Sequence, residues 1–586
     1  MTRIPDHCCR WLVAAVLLGV SAGSDGCGAG NDNQWDAAVD ADAEAADAGP
    51  DAAPDGGTNH GVDWVTCSLD VNNPFGRLVE CALIEVPLRH AEPEGPTIEL
   101  WVQRVPASTE PKRGQIWFLQ GGPGGSGADL GWMLDMVSEQ APSWDLLTTD
   151  HRGVGNSARL GCPVQEALGS ESGFRITQSE WPACLQHVQG TWGDDLAEFT
   201  TTAAARDMGL LVDRLREPGL AVHLFGVSYG TYWLIRYLHL FPDQVDGVIL
   251  DSIAPPGISL ADYDGFTNDI GEDFLGYCAA DTLCASHLGA DPWATAGQIF
   301  DNAAQGSCPG YSALVDPGTE RLYLRWALAS LLLAEVLREG APAVLHRLNR
   351  CDPDDVLALE HLLTQLWHDE QDVTASEALG SAVLASHIGL SELWSDPLPD
   401  ASALAALQDG LYFSLGVSPR VAGTQDYWPF YPQDQYVGAW PDTDTPMLMG
   451  NGDLDPQTPP WVAQPAASHF TGPHQYYYEL PRCAHGLIAQ SPVNTPNTPP
   501  CFLQMILDFV NDPTAAPDAA CLGDIEPIDF NGAHIYSQYL FGTDDLWENP
   551  PPSPVPPAVR NPPPGFRRAL RWLRQNVPPP RFLRGR

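Results

Sequence analysis

The sequence predicts an α/β fold in which a mostly parallel sheet carries helices on both faces and a helical cap is inserted between two of its strands. Three observations carry that prediction. Short, continuously apolar runs alternate with stretches of helical spacing, the pattern of strands buried on both faces. Glycine-bearing turns directly follow several of those runs, where a strand must give way to a helix. The nearly 200 residues between Asp251 and Pro446 are rich in Leu and Ala and poor in strand-like runs.

At the N-terminus, Arg3 and Arg10 precede an apolar run from Trp11 to Val20, followed by small residues. The run falls short of the ~20 apolar residues that span a bilayer, so it reads as the core of a signal peptide over 1–26, and export is expected. Fourteen cysteines in 586 residues agree with an oxidising compartment. Two routes stay open after the signal. One is a lipid anchor at Cys27, although the Leu usual three residues earlier is missing. The other is ordinary cleavage after Ala22 and secretion. Residues 27–61 form an acidic tether of Asp, Ala, Gly and Pro without Lys or Arg, unable to bury enough surface to offset its ordering entropy. That composition favours the lipoprotein route, as on a bacterial cell envelope.

Order is expected from about Trp64, with a first core part over 62–256, a cap over 257–440 and a second core part over 441–545. Thr97 to Val105 alternates apolar and polar residues and reads as a strand. Gly114 to Leu119 is an apolar strand ending in glycines, and Trp144 to Leu147 is another. Residues 201–215 place Met208, Leu211, Val212 and Leu215 on one helical face. A strand at Ala221–Phe225 is followed by a helix at Thr231–Leu240. Further strands are expected at 245–250, 446–449 and 475–480, with a last helix around 502–510. Residues 546–586 read as a Pro/Arg-rich tail, with eight arginines between Arg560 and Arg586 and no acid after Glu548. Such a tail either folds back on the acidic enzyme or contacts anionic envelope polymers or lipids. A formal charge of −46 argues against nucleic acid as a partner.

The chemistry centres on Gly226-Val227-Ser228-Tyr229-Gly230, between a strand and a helix. In a turn this tight, flanking side chains would collide with the neighbouring strand and helix, and the Ser228 hydroxyl projects above the sheet as a nucleophile. Gln120-Gly121-Gly122-Pro123-Gly124-Gly125-Ser126-Gly127 follows another strand and suits an oxyanion hole. The expected donors are the amides of Gly122 and Tyr229, since Pro123 has no N–H. His485, in Cys483-Ala484-His485-Gly486 after the last strand, is the expected general base, with His469 and His474 as rivals. Asp455 is the expected acid, because a residue before proline is held extended. Asp453 and then Asp251 are the alternatives. Ser228, Asp455 and His485 occur in the chain order of the α/β-hydrolase fold.

On these motifs the chain resembles the tripeptidyl aminopeptidase and proline iminopeptidase branch of the α/β-hydrolases. The matching stretches are Gly121-Gly122-Pro123-Gly124, Asp150 to Ser157, Gly226 to Thr231 and Asp455-Pro456-Gln457-Thr458-Pro459. The tripeptidyl branch is matched further at Trp64-Val65-Thr66-Cys67, at Glu80-Cys81 to Val86-Pro87-Leu88, and at the closing Cys501 to Cys521 segment. The resemblance runs over about residues 62–525 and is weakest in the cap. Gln120 stands where a His is common, and Cys483 where the family usually has a small inert residue. The resemblance implies acyl-enzyme hydrolysis near the N-terminus of peptide substrates. It also implies a cap acid for the substrate ammonium, with Asp264, Asp269, Glu272 and Asp273 as candidates. Asp150 and Arg152 are read as structural braces. No cofactor or metal is expected, because the histidines are scattered and the cysteines lack paired Cys-x-x-Cys spacing. A carboxylesterase or lipase-like hydrolase is the alternative activity, and a non-catalytic surface binding protein a more distant one.

Cysteine spacing suggests disulfides Cys67–Cys81, Cys278–Cys284 and Cys501–Cys521, with Cys162–Cys184 and Cys308–Cys351 beside them. Cys483 is left over. Two readings of it stand: an inert buried thiol, or a free thiol lining the approach to the active site.

Overall fold

Nine strands, most of them with buried apolar faces, join into one sheet among the described residues, in the order β1-β2-β3-β5-β4-β6-β7-β8-β9. They are β1 (Val65–Thr66), β2 (Glu80–Pro87), β3 (Thr97–Val105), β4 (Gly114–Leu119), β5 (Trp144–Thr149), β6 (Ala221–Val227), β7 (Gly247–Asp251), β8 (Met447–Gly452) and β9 (Gln475–Leu480). The structure, a computed structural model, describes residues 62–67, 78–167, 176–367, 380–394, 399–552 and 581. The expected signal segment, Cys27, the acidic tether and the arginine-bearing tail apart from Arg581 lie outside the described residues.

From β5 to β9 every neighbouring pair is parallel. The first three strands and the β3–β5 junction are antiparallel. This is the α/β-hydrolase arrangement that the strand–helix alternation predicts. The strand β2 has a half-exposed alternating pattern, and it pairs along its full length with β3, from Glu80 opposite Arg104 to Pro87 opposite Thr97. The Arg104 guanidinium lies 4.2 Å from the Trp64 ring centroid, which sets Trp64 against β3.

The helices flanking the core are α1 (Gly131–Gln140), α2 (Trp181–Trp192), α3 (Thr201–Leu215) and α4 (Tyr229–Leu240). Thr200 starts α3 by accepting a hydrogen bond from the Ala203 amide, and the predicted stripe of Met208, Leu211, Val212 and Leu215 is buried. On one face of the sheet Ile116, Phe118, Leu146, Phe225, Ile249 and Leu448 join Met133, Leu134 and Val137 of α1 and Phe502, Ile506 and Phe509 near the C-terminus in a single buried cluster. Each such side chain stabilises the fold by about 1.5–3 kcal/mol through burial.

Between β7 and β8 the described chain is helical and contains no strand. It comprises α5 (Tyr263–Ala280), α6 (Thr282–Leu288), α7 (Pro292–Ala304), α8 (Pro309–Leu314), α9 (Glu320–Leu332), α10 (Glu335–Arg338), α11 (Ala341–Arg350), α12 (Pro353–Trp367), α13 (Ala382–Glu392), α14 (Ala401–Gly410) and α15 (Val417–Ala422). This is the inserted cap. It is bolted to the core by Glu392 of α13, which pairs with Arg236 of α4 at 2.9 Å and accepts the hydroxyls of Tyr232 and Tyr431. A buried ion pair with every partner satisfied holds one geometry, because losing either charge would strand the other.

Three further helices, α16 (Pro460–His469), α17 (Cys501–Asn511) and α18 (Ser537–Phe541), complete the described fold. Here the structure corrects the boundary expected between 545 and 546. Leu546 and Trp547 are buried. Arg347 of α11 donates to the carbonyls of Asp545, Leu546 and Glu548, so a cap guanidinium gathers a segment that composition alone assigned to the tail. All five spacing-based disulfides form.

Candidate active site

The residues singled out from sequence converge on loops at the C-terminal ends of the parallel strands, where open α/β sheets place their sites. Ser228 links β6 to α4 and has φ 57° and ψ −124°, a conformation that costs a non-glycine residue energy and persists only when its surroundings enforce it. The enforcement is steric. A Cβ on Gly230 would lie 2.4 Å from the Leu119 carbonyl oxygen, so α4 approaches β4 closely only because that position is glycine. The hydroxyl therefore sits at the N-terminal, electropositive end of α4.

The glycine-rich loop after β4 lies against this elbow. A Cβ on Gly121 would come within 2.7 Å of the Ser228 Cβ. Gln120 accepts the Gly121 amide at 2.7 Å and so fixes the loop. Gly122 is exposed beside it. Tyr229 is the first residue of α4, whose amide has no acceptor within the helix. Its side chain is anchored below: the hydroxyl lies 3.0 Å from Thr201 Oγ1 and 3.3 Å from His151 Nε2. Burial lowers the His151 pKa to about 4, leaving a neutral ring.

Asp455 and His485 come together after β8 and β9. His485 Nδ1 lies 2.9 Å and 2.8 Å from the two Asp455 oxygens. The carboxylate is fully buried and also accepts the amides of Gln457 and Thr458 on Oδ1 and the Thr458 hydroxyl on Oδ2. All of these partners are donors, so Nδ1 carries the ring proton and Nε2 is left as the acceptor. The side-chain hydrogen bonds of His485 run to Asp455 and Thr458 rather than to Ser228. Nucleophile–base contacts often tighten only once substrate is bound.

The rival acids do other work. Asp453 accepts the Tyr277 hydroxyl at 3.3 Å, and burial pushes it up to about 6. Asp251 takes the amides of Leu487 and Ile488 together with the Ser252 hydroxyl, so it holds the histidine loop from beneath. Of the rival histidines, His469 bonds the Pro441 carbonyl. Asp150 receives Ser126 Oγ and the amides of Gly127 and Asn156, and Arg152 pairs with Asp207 at 2.6 Å. Both brace loops, as expected.

One expectation is corrected, and one open choice is decided. Asp264 is not free for a substrate ammonium. It is buried and accepts the Ser414 hydroxyl and the amides of Leu415, Gly416 and Ser418, closing a turn of the cap. Asp269, Glu272 and Asp273 remain solvent-exposed on α5. Cys483 does not line the approach. It is a buried free thiol within the core beneath the histidine loop, its Sγ lies 3.5 Å from the Pro481 carbonyl, and burial raises its pKa.

Comparisons with known proteins agree with this fold. Residues 116–275 match the family described as the alpha/beta hydrolase fold. The chain is 32% identical over 212 residues to the tripeptidyl aminopeptidase of Streptomyces coelicolor, covering 33% of this chain and 38% of that one. It is 26% identical over 269 residues to carboxylesterase B of Mycobacterium tuberculosis, covering 41% of this chain and 47% of the relative. Proline iminopeptidase of Aeromonas sobria is 29% identical over 183 residues, covering 30% and 37%. The aligned stretches thus span less than half the length of each of these relatives.

Proposed function

We propose that this chain, which has the α/β-hydrolase fold and resembles tripeptidyl aminopeptidases, is an exported serine hydrolase that releases short peptides or residues from peptide N-termini. The observation carrying the reading is the fully buried Asp455 seated on His485 Nδ1, with Nε2 left to serve the strained Ser228. Ser228 Oγ attacks the scissile carbonyl carbon while its proton passes to His485 Nε2. The resulting oxyanion is held by the amides of Gly122 and Tyr229. Collapse breaks the C–N bond, and His485 returns the proton to the departing amine. Water then repeats the sequence on the acyl-enzyme and regenerates Ser228.

Export is supported by the N-terminal signal pattern and by the five disulfides, which oxidising compartments favour. No helix of the described residues is long and apolar enough to cross a membrane. Attachment through Cys27 and contact of the arginine-rich tail with anionic envelopes belong to the same proposal. Similarity to carboxylesterase B favours a second reading, ester hydrolysis on the same machinery. A panel of free-amino peptide arylamides, N-blocked arylamides and simple aryl esters separates the two. The peptidase reading expects turnover of the free-amino amides with N-blocked ones much poorer. Turnover of esters alone would replace it with the esterase reading.

A further inference from the structure

Gln490, five residues after His485, spends its whole carboxamide on a bridge between the cap and the histidine loop. Its Oε1 accepts the amide of Glu335, the first residue of α10, at 2.9 Å. Its Nε2 donates to the carbonyl of Leu333 at 3.2 Å and to the main-chain carbonyl of His485 itself. With one N–H and two carbonyls as partners, only one orientation of the amide fits. Leu333 and Glu335 flank the turn between α9 and α10, so one side chain ties that turn to the backbone of the proposed base.

Elsewhere the histidine loop is held mainly from the core side, apart from Arg338 of α10, which donates to the carbonyl of Arg482. The Gly486 amide donates to Ser252 Oγ at 2.8 Å, and the amides of Leu487 and Ile488 donate to Asp251. The ring itself is set by Asp455 and Thr458. Gln490 adds a link from the cap side, on the carbonyl of the very residue whose imidazole must meet Ser228.

We infer that Gln490 is a positioning residue that couples the seating of the cap to the placement of His485, so that the cap sets the competence of the base as well as covering the site. The inference rests on the serine-hydrolase reading above, and its test separates the two. Two variants bracket the contact. Gln490→Met keeps the length and loses all three hydrogen bonds. Gln490→Glu keeps the acceptor for Glu335 and loses both donors.

The readouts are the rate of Ser228 modification by a fluorophosphonate probe, kcat and KM on an aryl ester, the thermal midpoint, and amide exchange at Glu335. Displacing a base by about 1 Å can cost roughly a hundredfold in rate, and a smaller shift correspondingly less. Both variants are therefore expected to label about tenfold more slowly or worse, with kcat falling in parallel and KM within about twofold. The thermal midpoint moves by only a few degrees, and Glu335 exchanges faster in Gln490→Met. Labelling at the wild-type rate in both variants overturns the inference. So does a raised KM at unchanged kcat, or loss of the folded state in both, which would make Gln490 a folding determinant only. A wild-type protein that the probe does not label overturns the serine-hydrolase reading instead.

Discussion

Replacing Asp455 with Asn tests the acid assignment at the level of single hydrogen bonds. Asp455 Oδ1 receives two main-chain amides, from Gln457 and Thr458, which can only donate. The Asn carbonyl must therefore take the Oδ1 position, and its NH2 falls where Oδ2 stood, 2.8 Å from His485 Nδ1. Thr458 Oγ1 can turn to accept from that NH2, but a protonated Nδ1 beside it faces a donor. The ring relieves the clash by moving its proton to Nε2, the atom that must accept from Ser228. The substitution is nearly isosteric, so the fold should survive while kcat falls about 10⁴-fold, as tautomer reversal does in triads of this kind. At 1.36 kcal/mol per tenfold, that is roughly 5 kcal/mol of transition-state stabilisation. The assay is kcat on whichever ester or amide the wild type turns over, with a thermal melt as the folding control. An Asp455→Asn enzyme that keeps a tenth of wild-type kcat would refute the reasoning, as would a more damaging Asp453→Asn.

Asp453 yields a pH prediction of definite sign. Burial, the largest influence, pushes its carboxyl from 3.8 to about 6. Across that interval the folded chain keeps a proton that the unfolded chain has released, so this group costs stability as pH rises from 3.8 to about 6. Urea melts of Asp453→Asn should therefore gain on wild type through that window and hold the gain above it; a gain that shrinks with rising pH contradicts the shift. Gly230→Ala should abolish activity and lower the melting temperature, since the new Cβ meets the Leu119 carbonyl oxygen at 2.4 Å and only backbone can yield; a normally active variant would mean that α4 slides freely past β4. The Cys483 thiol should resist thiol reagents in the native protein and react on unfolding, and Cys483→Ala should leave kcat unchanged. Rapid native-state alkylation that inhibits would restore the active-site placement of that residue.

The parts of this architecture that depend on local sterics were legible from sequence. The elbow around Ser228 needs small neighbours within two residues on either side, and Gly226 and Gly230 declare it. The Asp455-Pro456 step likewise carries its own backbone constraint, and the structure does bring this Asp to His485 while Asp453 turns to Tyr277. Disulfides closing short loops could be paired by spacing. What sequence left hidden depends on contacts between distant segments. Asp264 has the same local surroundings as a solvated cap acid, and only the turn at 414–418 folding over it reveals its task. Leu546 and Trp547 border a proline-rich stretch and looked like tail, yet Arg347 and Arg350, about two hundred residues earlier, capture their carbonyls. Gln490 carries no motif at all, and its partners at 333 and 335 meet it only once the cap is seated.

The central claim is that Ser228 is a nucleophile activated by His485. Its most direct test is to treat the full chain with a fluorophosphonate probe and locate the adduct by peptide mass mapping. The account predicts one stoichiometric adduct on the peptide containing Ser228, absent from Ser228→Ala and formed far more slowly in His485→Ala. Failure of the folded protein to label, or an adduct on any other serine, would contradict it.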